Sequence, residues 1–226
     1  MRKFFLLLFL CPLYTFGQDT LHLSLPPSPI LKFSPFSLMD PLTSIQFALE
    51  HPLNSRISLQ HELGYIIPSA YESENKNDRG WRIRNEIRFY FNPAGYPEGG
   101  GYLAPEFLFI HSRFERNEMF GRDCSGDFNC AYYQYMDYTM QKQVYALHLK
   151  IGYQFVIERF AIDLYSGLGY RHVKVKSFNK PPNGPEYWDL FYFQKDDGFY
   201  DLPSMSLGMK IGYFLQDRRK QLQHIQ

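Results

Sequence analysis

The chain has 226 residues, 24 Lys and Arg against 23 Asp and Glu, and a mean hydropathy of −0.36. Charge this evenly balanced excludes a basic nucleic-acid-binding surface, and no segment beyond the N-terminus is apolar for long enough to make a helical membrane protein. Yet 21 Phe and 18 Tyr are a heavy aromatic load for so polar a chain. A strand that turns only every second residue toward lipid carries such a load and still scores as polar.

Arg2 and Lys3 precede an apolar run over 4–10, and Thr15 and Gly17 supply small residues at cleavage offsets. This predicts a signal peptide over 1–17, cut after Gly17. The run is too short to span a bilayer as a helix. Cys11 raises a lipoprotein alternative, disfavoured by bulky Leu10 before it and Pro12 after it. Beyond residue 17, 22 basic side chains face 23 acidic ones, a net charge of about −1, and 18–29 is expected to be a short periplasmic lead.

From there, strict alternation marks strands. The first, over 30–38, sets Leu31 and Phe33 against Lys32 and Ser34, with Pro35 suited to a strand end or bulge. Over 43–50, Ile45, Phe47 and Leu49 oppose Ser44, Gln46, Ala48 and Glu50; over 57–67, Ile57, Leu59, Leu63, Tyr65 and Ile67 oppose Ser58, Gln60, Glu62 and Gly64. The sharpest case is 81–91, where Trp81, Ile83, Ile87, Phe89 and Phe91 face away from Arg82, Arg84, Glu86 and Arg88. Leu103, Phe107 and Phe109 then oppose Ala104, Glu106 and Ser112, although Leu108 and Ile110 blur this strand. Tyr145, Leu147, Leu149, Ile151 and Tyr153 oppose Ala146, His148, Lys150, Gly152 and Gln154. Phe160, Ile162, Leu164, Leu168 and Tyr170 oppose Asp163, Gly167, Gly169 and Arg171. Met205, Leu207, Met209, Ile211 and Tyr213 oppose Ser206, Gly208, Lys210 and Gly212.

Eight strands result, joined alternately by compact turns (51–56, 92–100, 156–159) and by connections of which three are long (39–42, 68–79, 116–137, 176–203). Short periplasmic turns opposite longer outer loops are the layout of an outer-membrane barrel, and aromatic residues at strand ends fit its interfacial girdles. The expected fold is therefore all-β, an eight-stranded antiparallel up-and-down transmembrane β-barrel over 30–215, with a frayed tail over 216–226. The competing architecture is a soluble periplasmic lipocalin-like binding barrel, with the apolar face inward and the arginine row solvated.

The signal peptide, the eight strands and segments such as 44–50, 82–91 and 206–214 resemble the small eight-stranded outer-membrane barrels of the OmpA and OmpX kind. The resemblance implies a bacterial outer-membrane location in a Gram-negative organism, a monomer surrounded by lipid, and roles that range from structural to adhesive to enzymatic. One departure is that the chain continues past the aromatic Phe214 of its last strand.

The expected inner faces carry Lys32, Glu50, Glu62, Arg82, Arg84, Glu86, Arg88, Glu106, Lys142, His148, Lys150, Asp163, Arg171 and Lys210. An eight-stranded barrel has room only for its own side chains or one small ligand, and buried charges must pair. These residues are accordingly read as a structural ion-pair network filling the lumen. Cys124 and Cys130 read as a disulfide in an oxidising compartment. Asp123, Ser125, Asp127 and Asn129 alternate like calcium ligands, but Gly126 stands at the fourth position where the calcium loop wants Gly at the sixth. No metal or other cofactor is expected.

For catalysis, as in a lipid-modifying outer-membrane enzyme, the nearest candidates are His111, Ser112 and Glu115. The first two are sequence neighbours pointing to opposite faces, and no nucleophile elbow, zinc helix or phosphate loop occurs. The expectation is no enzyme. Instead the aromatic loop residues Tyr187, Trp188, Phe191, Tyr192, Phe193, Phe199 and Tyr200 suggest a surface patch. Loops 116–137 and 176–203 would carry any extracellular protein or glycan partner.

Overall fold

In a computed structural model the chain forms β1 (Ile30–Phe33), a 3-10 helix (Pro35–Leu38), β2 (Ser44–Pro52), β3 (Ile57–Ile66), β4 (Asn75–Tyr90), β5 (Gly100–Cys124), β6 (Cys130–Ile157), β7 (Phe160–Phe178) and β8 (Gly198–Phe214). The structure describes residues 28–40, 42–54, 56–68, 75–91, 99–124, 130–181 and 196–215. The predicted signal peptide, the tail over 216–226, the calcium-like residues 125–129 and the aromatic run 187–193 lie outside them. Each strand pairs antiparallel with its sequence neighbour, and β1 closes on β8, so the sheet is one up-and-down barrel of eight strands. We call the end where β1 begins and β8 finishes the base, and the opposite end the rim.

The turns at the base are compact for local reasons. Asn54 Oδ1 accepts hydrogen bonds from the amides of Arg56 and Ile57, which folds the chain back between β2 and β3. Between β6 and β7, Ile157 pairs with Phe160 across two residues, and Glu158 takes a φ of 53°.

Two expectations about element limits are corrected. The first strand ends at Phe33 rather than 38, because Pro35 opens a 3-10 helix and cannot donate to a ladder. Most of 116–137 and parts of 68–79 and 176–203 are also strand rather than loop. The β5–β6 ladder runs unbroken from Gly100–Gln154 to Arg122–Tyr132, with Cys124 facing Cys130 beyond it, and β7–β8 continues to Val175–Gly198. Pairing at these levels no longer needs an apolar face. It rests on the backbone ladder and on cross-strand contacts such as Asn117 Nδ2 donating to Asp137 Oδ1 at 2.7 Å.

Alternation divides outside from inside, and the division is inverted relative to a globular protein. Exposed outward positions include Phe47, Leu63, Trp81, Phe91, Leu147, Leu149, Ile151, Leu168 and Leu207, whereas Lys32, Glu50, Arg88, Lys150, Asp163 and Lys210 are buried inside. The outer belt is interrupted by His61, whose Nδ1 lies 2.7 Å from Asn85 Oδ1 on the adjacent strand. The interior is layered. Ile30, Ala161 and Phe214 close the base, with Val156 against them. The charged layer stands above. Toward the rim, Ile66, Leu108, Ile110, Phe114, Val144, Ala146, Val173 and Val175 make an apolar layer. That layer explains why Leu108 and Ile110 blur the alternation of β5: both point inward.

Candidate functional site

The interior charges come from all eight strands and meet at one level because every second residue of each strand points in. Arg88 of β4 sits centrally. Its guanidinium pairs with Asp163 at 2.6 Å and Glu50 at 3.1 Å, donates to Glu86 from Nε at 2.7 Å, and lies 4.4 Å from the centre of the Tyr102 ring. Lys32 joins Glu50 at 2.5 Å and Asp163 at 3.1 Å. Lys150 bridges Glu86 at 2.5 Å and Glu106 at 2.9 Å, and Lys210 reaches Glu62 at 2.6 Å. Arg84 approaches Glu62 at 3.8 Å and donates to the Tyr165 hydroxyl at 3.1 Å. Five cations thus meet five carboxylates.

Tyrosines complete the shell. Tyr90 donates to Glu50 and Tyr102 to Asp163, each at 2.7 Å, while Lys150 Nζ lies 3.7 Å from the centre of the Tyr165 ring. Two glycines make room for these rings. A Cβ on Gly152 would collide with Tyr102, and one on Gly208 with Tyr165. Tyrosine supplies a hydroxyl for a carboxylate and a face for a cation, so these rings take part in satisfying the buried charges.

Lys142 lies toward the rim, level with Ser112 and Val175, and Arg82 and Arg171 also stand apart. Arg82 turns toward the rim and pairs with Asp40 at 2.7 Å, tying the segment after the 3-10 helix to β4. Arg171 makes no ion pair with the network, and its buried Nε has no hydrogen-bond partner; register places it nearer the rim, level with Ala146 and Leu202. Among the described residues no group of three His, Cys, Asp or Glu is placed to hold a metal.

A second arrangement joins this layer to the rim. His148 on β6 places Nδ1 3.1 Å from Glu106 Oε1 on β5 and Nε2 2.8 Å from Ser204 Oγ on β8. The imidazole crosses Gly169 of β7, where a Cβ would come within 2.7 Å of its Cδ2. The candidates named from sequence do not assemble in this way. Ser112 is buried inside, whereas His111 and Glu115 face outward, Glu115 accepting from Asn77 at 2.8 Å. Sequence reasoning put Glu106 and His148 on the inner face but passed over Ser204. The one local signal was Ser204 sharing the inward parity of Ser206, Gly208 and Lys210.

Above the barrel the β5–β6 hairpin ends at the Cys124–Cys130 disulfide. Arg116 donates to Glu118 at 2.9 Å, and the Tyr138 hydroxyl donates to Glu118 at 2.7 Å. Burial and that carboxylate push the Tyr138 phenol above its ordinary pKa. Tyr132, Tyr133 and Tyr135 stand exposed near the tip.

No curated protein and no solved structure matches the chain. A family model described as "Protein of unknown function (DUF3575)" matches residues 36–187, from the 3-10 helix to beyond β7. With about two thirds of its length so matched, the chain belongs to the DUF3575 family.

Proposed function

We propose that the protein is a transmembrane barrel of a Gram-negative outer membrane, exported by its N-terminal signal peptide. Its lumen is filled by side chains, and it serves the envelope as a structural element and through its outer surface. The observation that carries the reading is the inversion of polarity: charged residues are sealed inside while an apolar belt lies outside. On β6 the outward belt runs from Tyr145 to Ile157; at a strand tilt of about 40° it stands roughly 30 Å tall, the height of a bilayer core. A lipocalin-like barrel would keep its apolar face inside, which argues against the soluble alternative.

On this reading the protein is a relative of the small OmpA- and OmpX-like barrels and a monomer in outer-membrane lipid. The hairpin tip with its three exposed tyrosines, together with the 176–203 connection, is the surface offered to an extracellular protein or glycan. The test is fractionation followed by electrophoresis. The protein should partition with outer membranes, need detergent for extraction, and migrate differently before and after boiling. Recovery in the soluble periplasmic fraction would refute the reading.

A further inference from the structure

We propose that Ser204, His148 and Glu106 form a serine-nucleophile site that cleaves carboxylic esters of lipids, reached sideways through the barrel wall beside β8. The lipid class rests on the membrane reading above; the nucleophile rests on the fold alone.

The polarity of the three groups follows from their surroundings. Lys150 sits 2.9 Å from Glu106 Oε2, which favours the carboxylate form, so Glu106 can only accept. His148 Nδ1 therefore carries its proton toward Glu106, and Nε2 presents a lone pair to the Ser204 hydroxyl. This is the order needed for a general base acting on a nucleophile. Glu106 and His148 are buried, whereas Ser204 is partly exposed, so the reacting oxygen is the accessible member.

The wall beside Ser204 supplies the route. β1 pairs with β8 only from Ile30–Phe214 to Phe33–Ile211. From Lys210 to the rim β8 has no strand on that side among the described residues, and the 3-10 helix packs there against β8 and β2. Met205 and Leu207 on this edge are 77% and 79% exposed, and Met39 at the end of the 3-10 helix is 80% exposed. They are the three most exposed large apolar side chains among the described residues. Depth agrees as well. Ser204 pairs with Gly169, next to Tyr170, which together with Tyr145 belongs to the rim-side aromatic belt. Aromatic belts lie at the headgroup boundary, where the ester carbonyls of a lipid are found. Arg171, two residues from Gly169 on the same inward face, keeps an unpartnered Nε–H that can stabilise an oxyanion.

The chemistry balances without a cofactor. Ser204 Oγ attacks the ester carbonyl carbon as its proton passes to His148 Nε2. The bond to the leaving alcohol breaks, and the alcohol departs with that proton. Water, deprotonated by His148, then releases the fatty acid and restores Ser204.

The test uses the full chain folded in detergent micelles and treated with an alkyl fluorophosphonate. One adduct is expected, at Ser204 by peptide mapping. It should be absent in Ser204→Ala, slowed by about 10²-fold or more in His148→Gln, and unchanged in the outward control Ser166→Ala. Each variant is read only in its heat-modifiable, folded band. If Ser204→Ala misfolds, Ser204→Cys with iodoacetamide replaces it, and alkylation should again depend on His148. A folded protein that takes no adduct at Ser204, or takes it equally fast in His148→Gln, overturns the proposal. A second arm compares a water-soluble p-nitrophenyl ester with a fluorogenic phospholipid in vesicles. Hydrolysis of both supports the whole proposal. Labelling and soluble-ester cleavage by a protein that does not float with vesicles overturns the lipid class together with the membrane reading, and leaves the nucleophile standing.

Discussion

Arg88 has the most to lose from substitution. It faces Glu50, Glu86 and Asp163 at once, fully buried, so removing it strands three carboxylates with only Lys32, Lys150 and Lys210 to answer them. Breaking a buried pair by deleting one partner costs about 3–5 kcal/mol, and Arg88→Met should fall in or above that range. Urea unfolding in micelles checks it, with Arg113→Met, on the exposed outer face, as the reference that should stay near wild type. Gly208→Val tests the layer from the other side: its side chain would displace the Tyr165 ring, and with it the ring against which Lys150 lies. A loss of about 1–3 kcal/mol is expected for such overpacking.

At the level of single strands, the two faces predict opposite tolerances. Leu149 is 56% exposed in the middle of the outward belt, so Leu149→Arg in bilayers should cost about 2–4 kcal/mol; normal folding of that variant would reverse the assigned faces. The β5–β6 hairpin should behave as an independent unit above the belt. Replacing Cys124 and Cys130 together by Ser should leave the unfolding midpoint of the barrel where it is and raise protease cutting near Tyr132–Tyr135. Strand legibility followed the same division. Within the belt, alternation marks β2, β3, β4 and β8 by sight, because one face must be apolar. Above it, Glu115, Asn117, Tyr135 and Asp137 lie outward in water with no such demand, and the hairpin read as a loop. β1 is overestimated for a different reason: Phe36, Ser37 and Leu38 resume an alternation, in the opposite phase, after Pro35 has already ended the ladder.

For the molecule as a whole, a charged layer and an apolar layer are stacked across the lumen. The pure protein in planar bilayers should therefore show no stable channel, and reproducible conductance steps would mean that the two layers part. The closed barrel was legible from patterning because its rule is local to each strand. Ser204, His148 and Glu106 were not, since they come from three strands and are joined only through pair register; no spacing along the chain brings 106, 148 and 204 together.

That β1 offers only four residues to each neighbour also has a kinetic side. Every other contact in the ring joins strands adjacent in sequence and forms by local zippering, whereas β1 must find a partner near the opposite end of the chain. The entropy of that closure is met by four residue pairs, so the ring should shut last and open first. Amide exchange of a folded sample should register this directly, with the Leu31–Phe33 amides losing protection ahead of those in the β6–β7 ladder.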